Sequence, residues 1–217
     1  MFTTQSLYQN QQDNPLRVIK IIEGCPARCV FVIDVSESMQ TKIGEKTRLE
    51  CACDAAISFC QKKIGRARIE IAVVTYSDTA EVRLPLILLG KDLSNLTSVL
   101  DRLTAEWTTN ITDGLHLAFN LLFPVATSTS RNRHQANYVI CLTDGHHNTG
   151  PSPEKIGDQI KATNITLATV GIGTNPSEVD EVILRKISSL HEGKSLYRFV
   201  RSQDELISHY RQLAEWF

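Results

Sequence analysis

The sequence predicts an α/β domain, a doubly wound and mostly parallel sheet with one antiparallel edge strand and helices on both faces. Three observations predict it. Short continuous apolar runs, such as residues 29–34 (CVFVID) and 136–145 (ANYVICLTDG), have the composition of strands buried on both faces. Between them lie stretches whose apolar residues recur every three or four positions, as on one stripe of a helix. Strands and helices then alternate along the chain, which implies a parallel sheet wrapped by right-handed crossovers.

Taken in order, residues 1–15 are polar and rich in Gln and Asn, which predicts a poorly ordered start. Residues 16–23 (LRVIKIIE) suit a short strand or packed arm, and Pro26 breaks the chain. The expected division is therefore an N-terminal extension over 1–27 and one domain over 28–217. Residues 29–34 form the first strand. After a loop, Thr47 can cap a helix over 48–63, whose Leu49, Ala52, Cys53, Ala56, Phe59 and Cys60 share a stripe. Residues 67–77 form a second strand. Residues 81–89 form a third, and Pro85 removes a ladder donor, which places that strand at a sheet edge. Helices follow over 92–103 and over 112–123, the latter despite Gly114. The strand at 136–145 precedes a helix over 151–163, a strand over 164–173, a helix over 177–190 and a last strand over 195–200. The final helix, 202–217, opens with a capping box of Ser202 and Glu205.

Composition narrows the function classes. At 217 residues the chain suits one domain with a well-buried core. A formal net charge of -1 supplies no overall field toward nucleic acid or an anionic membrane, and no basic run compensates. No stretch approaches the ~20 apolar residues that span a bilayer. The first residues lack the basic and apolar regions of a secretory signal, so the expectation for a complete chain is a cytoplasmic protein. Cys25, Cys29, Cys51, Cys53, Cys60 and Cys141 lack the paired spacing of a zinc site and read as structural thiols.

Three clusters of short, oxygen-bearing side chains stand after or near the carboxyl ends of apolar runs, where such a sheet gathers its ligands. They are Asp34, Ser36 and Ser38 in DVSES, Thr109 in WTTNITDGL, and Asp144 in LTDG. Hard oxygen donors suit magnesium, calcium or manganese rather than zinc or copper. Read singly, Asp34 and Ser36 would do no more than cap a turn. Together, a DxSxS after FVID, a Thr-Asn before a helix and an Asp closing YVICLTD resemble the metal-ion-dependent adhesion site of von Willebrand factor A domains. The resemblance extends over roughly residues 28–217 and includes the order of the elements.

The resemblance implies that Ser36, Ser38 and Thr109 bind a divalent ion through hydroxyls, with Asp34 and Asp144 acting directly or through water. It implies Mg2+, with Mn2+ or Ca2+ as alternatives, and a protein partner whose Asp or Glu completes the coordination. The implied function is a metal-dependent protein–protein interaction module, not an enzyme. This sequence departs from the family at two places, having Glu37 and the pair Trp107-Thr108 where glycines are common. Glu37, Trp107, His146 and His147 are candidate partner contacts at the rim, although Trp107 can also pack under its loop. Two other functions stay open. One is metal-assisted hydrolysis with His146 or His147 as general base; the other is a structural subunit with a vestigial metal site. Asp113 reads as a supporting or helix-terminal charge and Asp78 as a turn residue. Asn110-Ile-Thr matches a glycosylation acceptor inside the presumed metal loop.

Overall fold

The computed structural model describes residues 26–123, 136–163 and 165–217. The expectations for residues 1–15, for 16–23 and for Cys25 lie outside the described residues. In chain order the main elements begin with β1 (Ala27–Asp34), α1 (Arg48–Lys63), β2 (Ile69–Tyr76) and β3 (Ala80–Leu88). Next come α2 (Ser94–Leu100), α3 (Ile111–Leu122), β4 (Asn137–Thr143), α4 (Glu154–Lys161) and β5 (Ile165–Ile172). The chain closes with α5 (Glu181–Ile187), β6 (Tyr197–Val200) and α6 (Gln203–Trp216). Of two short hairpins, Lys42–Ile43 with Lys46–Thr47 falls in the stretch expected as a loop before the first helix, whereas Leu190–His191 with Lys194–Ser195 takes the last residue of the helix expected over 177–190 and the first of the strand expected over 195–200.

The six strands form one sheet in the order β6-β5-β4-β1-β2-β3. All pairs are parallel except β2 with β3, so the Pro85 strand is the antiparallel edge that its missing N–H requires. The chain moves from β1 outward to β2 and β3, then returns to the other side of β1 with β4 and continues outward. The order therefore reverses between β1 and β4, and there the loops leaving the two strands part to opposite faces of the sheet.

The alternating side chains of each central strand feed two cores. Phe31 and Ile33 face α1, α2 and α6; Val30 and Val32 face α3, α4 and α5. Phe31 sits edge-on to Phe59 of α1 at 5.3 Å and stacks on Tyr210 of α6 at 6.3 Å. Each such fully buried side chain contributes about 1.5–3 kcal/mol, which explains the strong register of β1. Gly114 in α3 has a packing reason. A Cβ there would stand 2.7 Å from Cδ1 of Tyr76 and 3.0 Å from Val32, so only glycine lets the helix lie this close to the sheet.

The helix ends refine the sequence expectations. α1 starts at Arg48 behind a reciprocal capping box of Thr47 and Glu50. The helix expected over 177–190 is shorter. Asn175 caps a separate 3-10 turn at Pro176–Glu178, and Asp180 caps α5 by accepting from the Ile183 N–H. Ser202 caps α6 through the Glu205 N–H, but the Glu205 carboxylate accepts from the Arg201 N–H, so the capping box is only half formed. Cys29, Cys51, Cys60 and Cys141 are buried free thiols and Cys53 is half-buried. Burial pushes the thiols of Cys53, Cys60 and Cys141 up to about 12, as expected for cysteines acting as small hydrophobes. No helix among the described residues is long and apolar enough to cross a membrane.

Candidate metal centre

Asp34 ends β1 and is fully buried, and both of its oxygens are occupied. Oδ1 accepts from the Ser36 N–H at 2.8 Å, closing a tight turn, and Oδ2 accepts from the Thr143 hydroxyl at 2.6 Å. Its carboxyl is pushed up to about 7, first by burial and then by repulsion from Asp144. Two buried carboxylates thus lie close enough to repel each other, a cost that neighbouring positive charge relieves.

The turn sends the next two serines the same way. Ser36 Oγ lies 3.1 Å from Ser38 Oγ, and Ser38 Oγ donates to Asp144 Oδ1 at 2.6 Å. Thr109 joins them from the loop before α3. Its N–H donates to Asn148 Oδ1 at 2.9 Å, and its carbonyl accepts from the Asn148 N–H at 3.1 Å. A Cβ added to Gly145 would meet Thr109 Oγ1 at 3.7 Å and Ser38 Oγ at 3.8 Å, so one small gap borders all three loops. Asp34, Ser36, Thr109 and Asp144 are buried whereas Ser38 and Glu37 are exposed, so the gap opens to solvent on the side of the DxSxS turn. All five side chains singled out by the sequence are brought to this place. Their donors, two carboxylates and three hydroxyls, have the chemistry of a hard divalent cation.

The loops are tied to one another by backbone. Glu37 N–H donates to the Trp107 carbonyl at 3.1 Å, and Glu106 N–H donates to the Val35 carbonyl at 2.7 Å. Asp78 accepts from the N–H and hydroxyl of Thr108, so it positions the threonine loop as well as making a turn. Asp113 lies in the first turn of α3 and accepts from the Ala80 N–H at 2.6 Å. Asn110 caps α3 and donates to the Asp78 carbonyl, so its side chain is engaged on both sides.

Trp107 does not pack under its loop. It is 69 % exposed, with a φ of 70 that is uncommon for a residue other than glycine. Its indole stands in solvent beside the site. His146 and His147 lie on the loop after Asp144, where Nε2 of each is near a carbonyl: Ser177 at 3.1 Å and Gly150 at 3.3 Å.

Sequence reasoning missed three residues here. Thr143 and Asn148 clasp Asp34 and Thr109; their signal was proximity to Asp144 in LTDGHHN. The third is Arg48, 5 % exposed, whose Nη1 donates to Asp144 Oδ2 at 2.9 Å while Nη2 pairs with Glu178. A cation at the first position of α1 faces the positive end of the helix dipole, and that misfit was its only signal.

Comparison with known proteins places these features in context. Residues 29–147 match the model of the von Willebrand factor type A domain. The chain is 29 % identical over 190 residues to the uncharacterized protein YfbK of Escherichia coli (strain K12), covering 85 % of this chain and 31 % of that one. It is 27 % identical over 161 residues to inter-alpha-trypsin inhibitor heavy chain H3 of Mesocricetus auratus, covering 69 % of this chain and 17 % of that one. It thus spans a third or less of these relatives. Among solved structures, a von Willebrand factor type A protein from Catenulispora acidiphila superposes with a TM-score of 0.72 at 20 % identity, covering 88 % of this chain and 42 % of that one. Proximal thread matrix protein 1 from the mussel byssus, with a zinc-occupied MIDAS motif, gives 0.64 at 23 % identity, covering 88 % and 46 %.

Proposed function

The chain belongs to the von Willebrand factor type A domain family, and on that premise we propose that it is a divalent-metal-dependent protein-interaction module. Ser36, Ser38 and Thr109 hold the ion, Asp34 and Asp144 supply the opposing charge, and a carboxylate of the partner completes the site. The observation that carries this proposal is the hydroxyl chain from Ser36 through Ser38 to Asp144, set beside Asp34 at the strand-order reversal and open at Ser38. A bound dication supplies a fixed positive charge to which an incoming carboxylate can bond directly. Mg2+ is the proposed ion, because every donor is a hard oxygen; Mn2+ and Ca2+ suit the same donors. The mussel protein carries zinc in its motif, so related sites accept other dications. Exposed Trp107 and Glu37 flank the opening and are the proposed partner contacts.

The Nε2 atoms of His146 and His147 face backbone carbonyls, so each neutral ring carries its proton on Nε2 and has Nδ1 as its basic nitrogen. A binding role is proposed over hydrolysis because the five gathered side chains are carboxylates and hydroxyls, the donor set of a cation site. The test is isothermal titration with Mg2+ and Mn2+ on the wild type, Asp34→Asn and Thr109→Ala, alongside pull-downs with and without EDTA. One ion per chain is expected, lost or strongly weakened in both variants while circular dichroism is unchanged. A folded wild-type chain that takes up neither ion at millimolar concentration refutes the proposal.

A further inference from the structure

Arg48 occupies an unusual position. It is the first residue of α1, buried, and its guanidinium bridges Asp144 at 2.9 Å on one side and Glu178 on the other. Asp144 has no exposed side-chain surface and Glu178 is 28 % exposed, so the Asp144 arm is the desolvated one. The same Asp144 receives the Ser38 hydroxyl on its other oxygen. Asp34, by contrast, is held only by neutral donors, the Ser36 N–H and the Thr143 hydroxyl.

We propose that Arg48 is a built-in counter-cation that sets the charge of the metal site. It makes the site a weaker trap for the bare ion and a stronger one for an anionic partner. This rests on the metal-site function proposed above. The physical basis is charge counting at short range. Two carboxylates without Arg48 formally cancel a dication and leave little pull on a third carboxylate. With the guanidinium fixed against Asp144, the loaded site carries one positive charge more than the same site without Arg48, set against the desolvated Asp144 arm, while Glu178 offsets part of it from the more exposed side. The guanidinium also occupies Asp144 Oδ2, leaving Oδ1 as the oxygen on the serine side. Arg48 is thus a positioning residue that acts through Asp144. Glu178 tempers it from the loop after β5, where its carboxylate also accepts from the N–H groups of Thr174 and Asn175.

The test uses the full chain with Mn2+ alone, then with acetate as a carboxylate probe. Mn2+ affinity is read by electron paramagnetic resonance, and acetate affinity by relaxation of its methyl protons near the bound ion. Arg48→Gln keeps an amide donor for Asp144 but no charge. It is expected to bind Mn2+ about tenfold tighter and to lose threefold or more in acetate affinity. Arg48→Lys, which keeps the charge, should stay within about threefold of wild type on both. Glu178→Gln, at a partly exposed position, leaves Arg48 less neutralised and should weaken Mn2+ binding about threefold, so the proposal stays testable if Arg48→Gln fails to fold. A merely structural arginine would weaken ion and acetate together on removal. Wild-type Mn2+ binding with a folded Arg48→Gln that binds Mn2+ equally or more weakly overturns the role of Arg48. So does a Glu178→Gln with unchanged affinity. No Mn2+ binding in any form overturns the metal site itself.

Discussion

Replacing Asp144 by alanine, the obvious way to disable the site, should damage the fold before any metal is considered. Asp144 is the desolvated partner of Arg48, and their side chains are 0 % and 6 % exposed. Removing one member of a buried ion pair costs about 3–5 kcal/mol, because the other charge stays buried. Two features reduce that figure here. Glu178 still holds Nη2, and the loss of Asp144 relieves its repulsion of Asp34. Asp144→Ala should therefore cost about 2–3 kcal/mol in urea denaturation with EDTA present, with an unchanged m-value. Adding Arg48→Met removes the stranded charge, and the double variant should recover at least about 1.5 kcal/mol relative to the sum of the single changes. Asp34→Asn should be milder, at about 1 kcal/mol or less, since its oxygen can keep the Ser36 N–H and its amide can donate to a reoriented Thr143 hydroxyl. The reasoning fails if Asp144→Ala loses under about 0.5 kcal/mol in EDTA, or if its effect and that of Arg48→Met simply add.

Other consequences are open to direct measurement. Gly114→Ala gains about 1 kcal/mol of helix propensity but drives a methyl into the fully buried Tyr76 ring, whose hydroxyl is held by the Leu142 carbonyl; a net loss of about 1–2 kcal/mol in urea denaturation is expected. Burial, followed by the nearby Arg198, lowers His209 from 6.5 to about 4. The unfolded chain then takes up the proton first, so this contribution to stability is complete above pH 6.5 and is lost as pH falls toward 4. It amounts to about 3 kcal/mol, and His209→Gln should flatten the stability–pH curve over that window. Trp107→Ala should shift the thermal midpoint by under about 2 °C, because the indole is mostly in solvent. If Trp107 is a partner anchor, the same change should weaken capture of the partner tenfold or more.

The parts of this fold that were legible in the sequence are those where one local signal dominates. β1 was readable because a strand covered on both faces needs an uninterrupted apolar run, and 29–34 is one. The start of α1 was readable because Thr47 and Glu50 carry the capping signature, and the β3 edge because of Pro85. The grouping of Asp34, Ser36, Ser38, Thr109 and Asp144 was legible because their places near the ends of elements match the motif of the family that the sequence resembles. The misreadings lie where several signals compete. Before α5 the charged SEVDE stretch has helical composition, but Asn175-Pro176 closes a 3-10 turn and Asp180 starts the helix afresh. The small hairpins have two residues per strand, too few to show a period. The Arg48 contacts span 96 and 130 positions, and no local pattern encodes a pairing of that separation.

The same arginine explains why the site can be assembled by the fold itself. Two clustered carboxylates normally make an empty metal site a weak point, and many small metal-binding domains hold together only when loaded. Here the burden is divided. Asp34 is satisfied by a backbone N–H and a threonine hydroxyl, groups that cost little to bring together at the end of a strand. Asp144 is satisfied by a guanidinium that α1 delivers from its first residue, braced by Glu178 from the loop after β5. Three loops on the same edge of the sheet are thereby fixed by the chain's own groups, and Ser36, Ser38 and Thr109 are carried into place with them. These bonds among the chain's own groups already tie the loops together, so under the proposed metal-binding function less of an ion's binding free energy would be spent on ordering them. That division would favour the reversible, metal-dependent grip proposed for this chain, and it would rest on Arg48, a residue outside the motif that first marked the site.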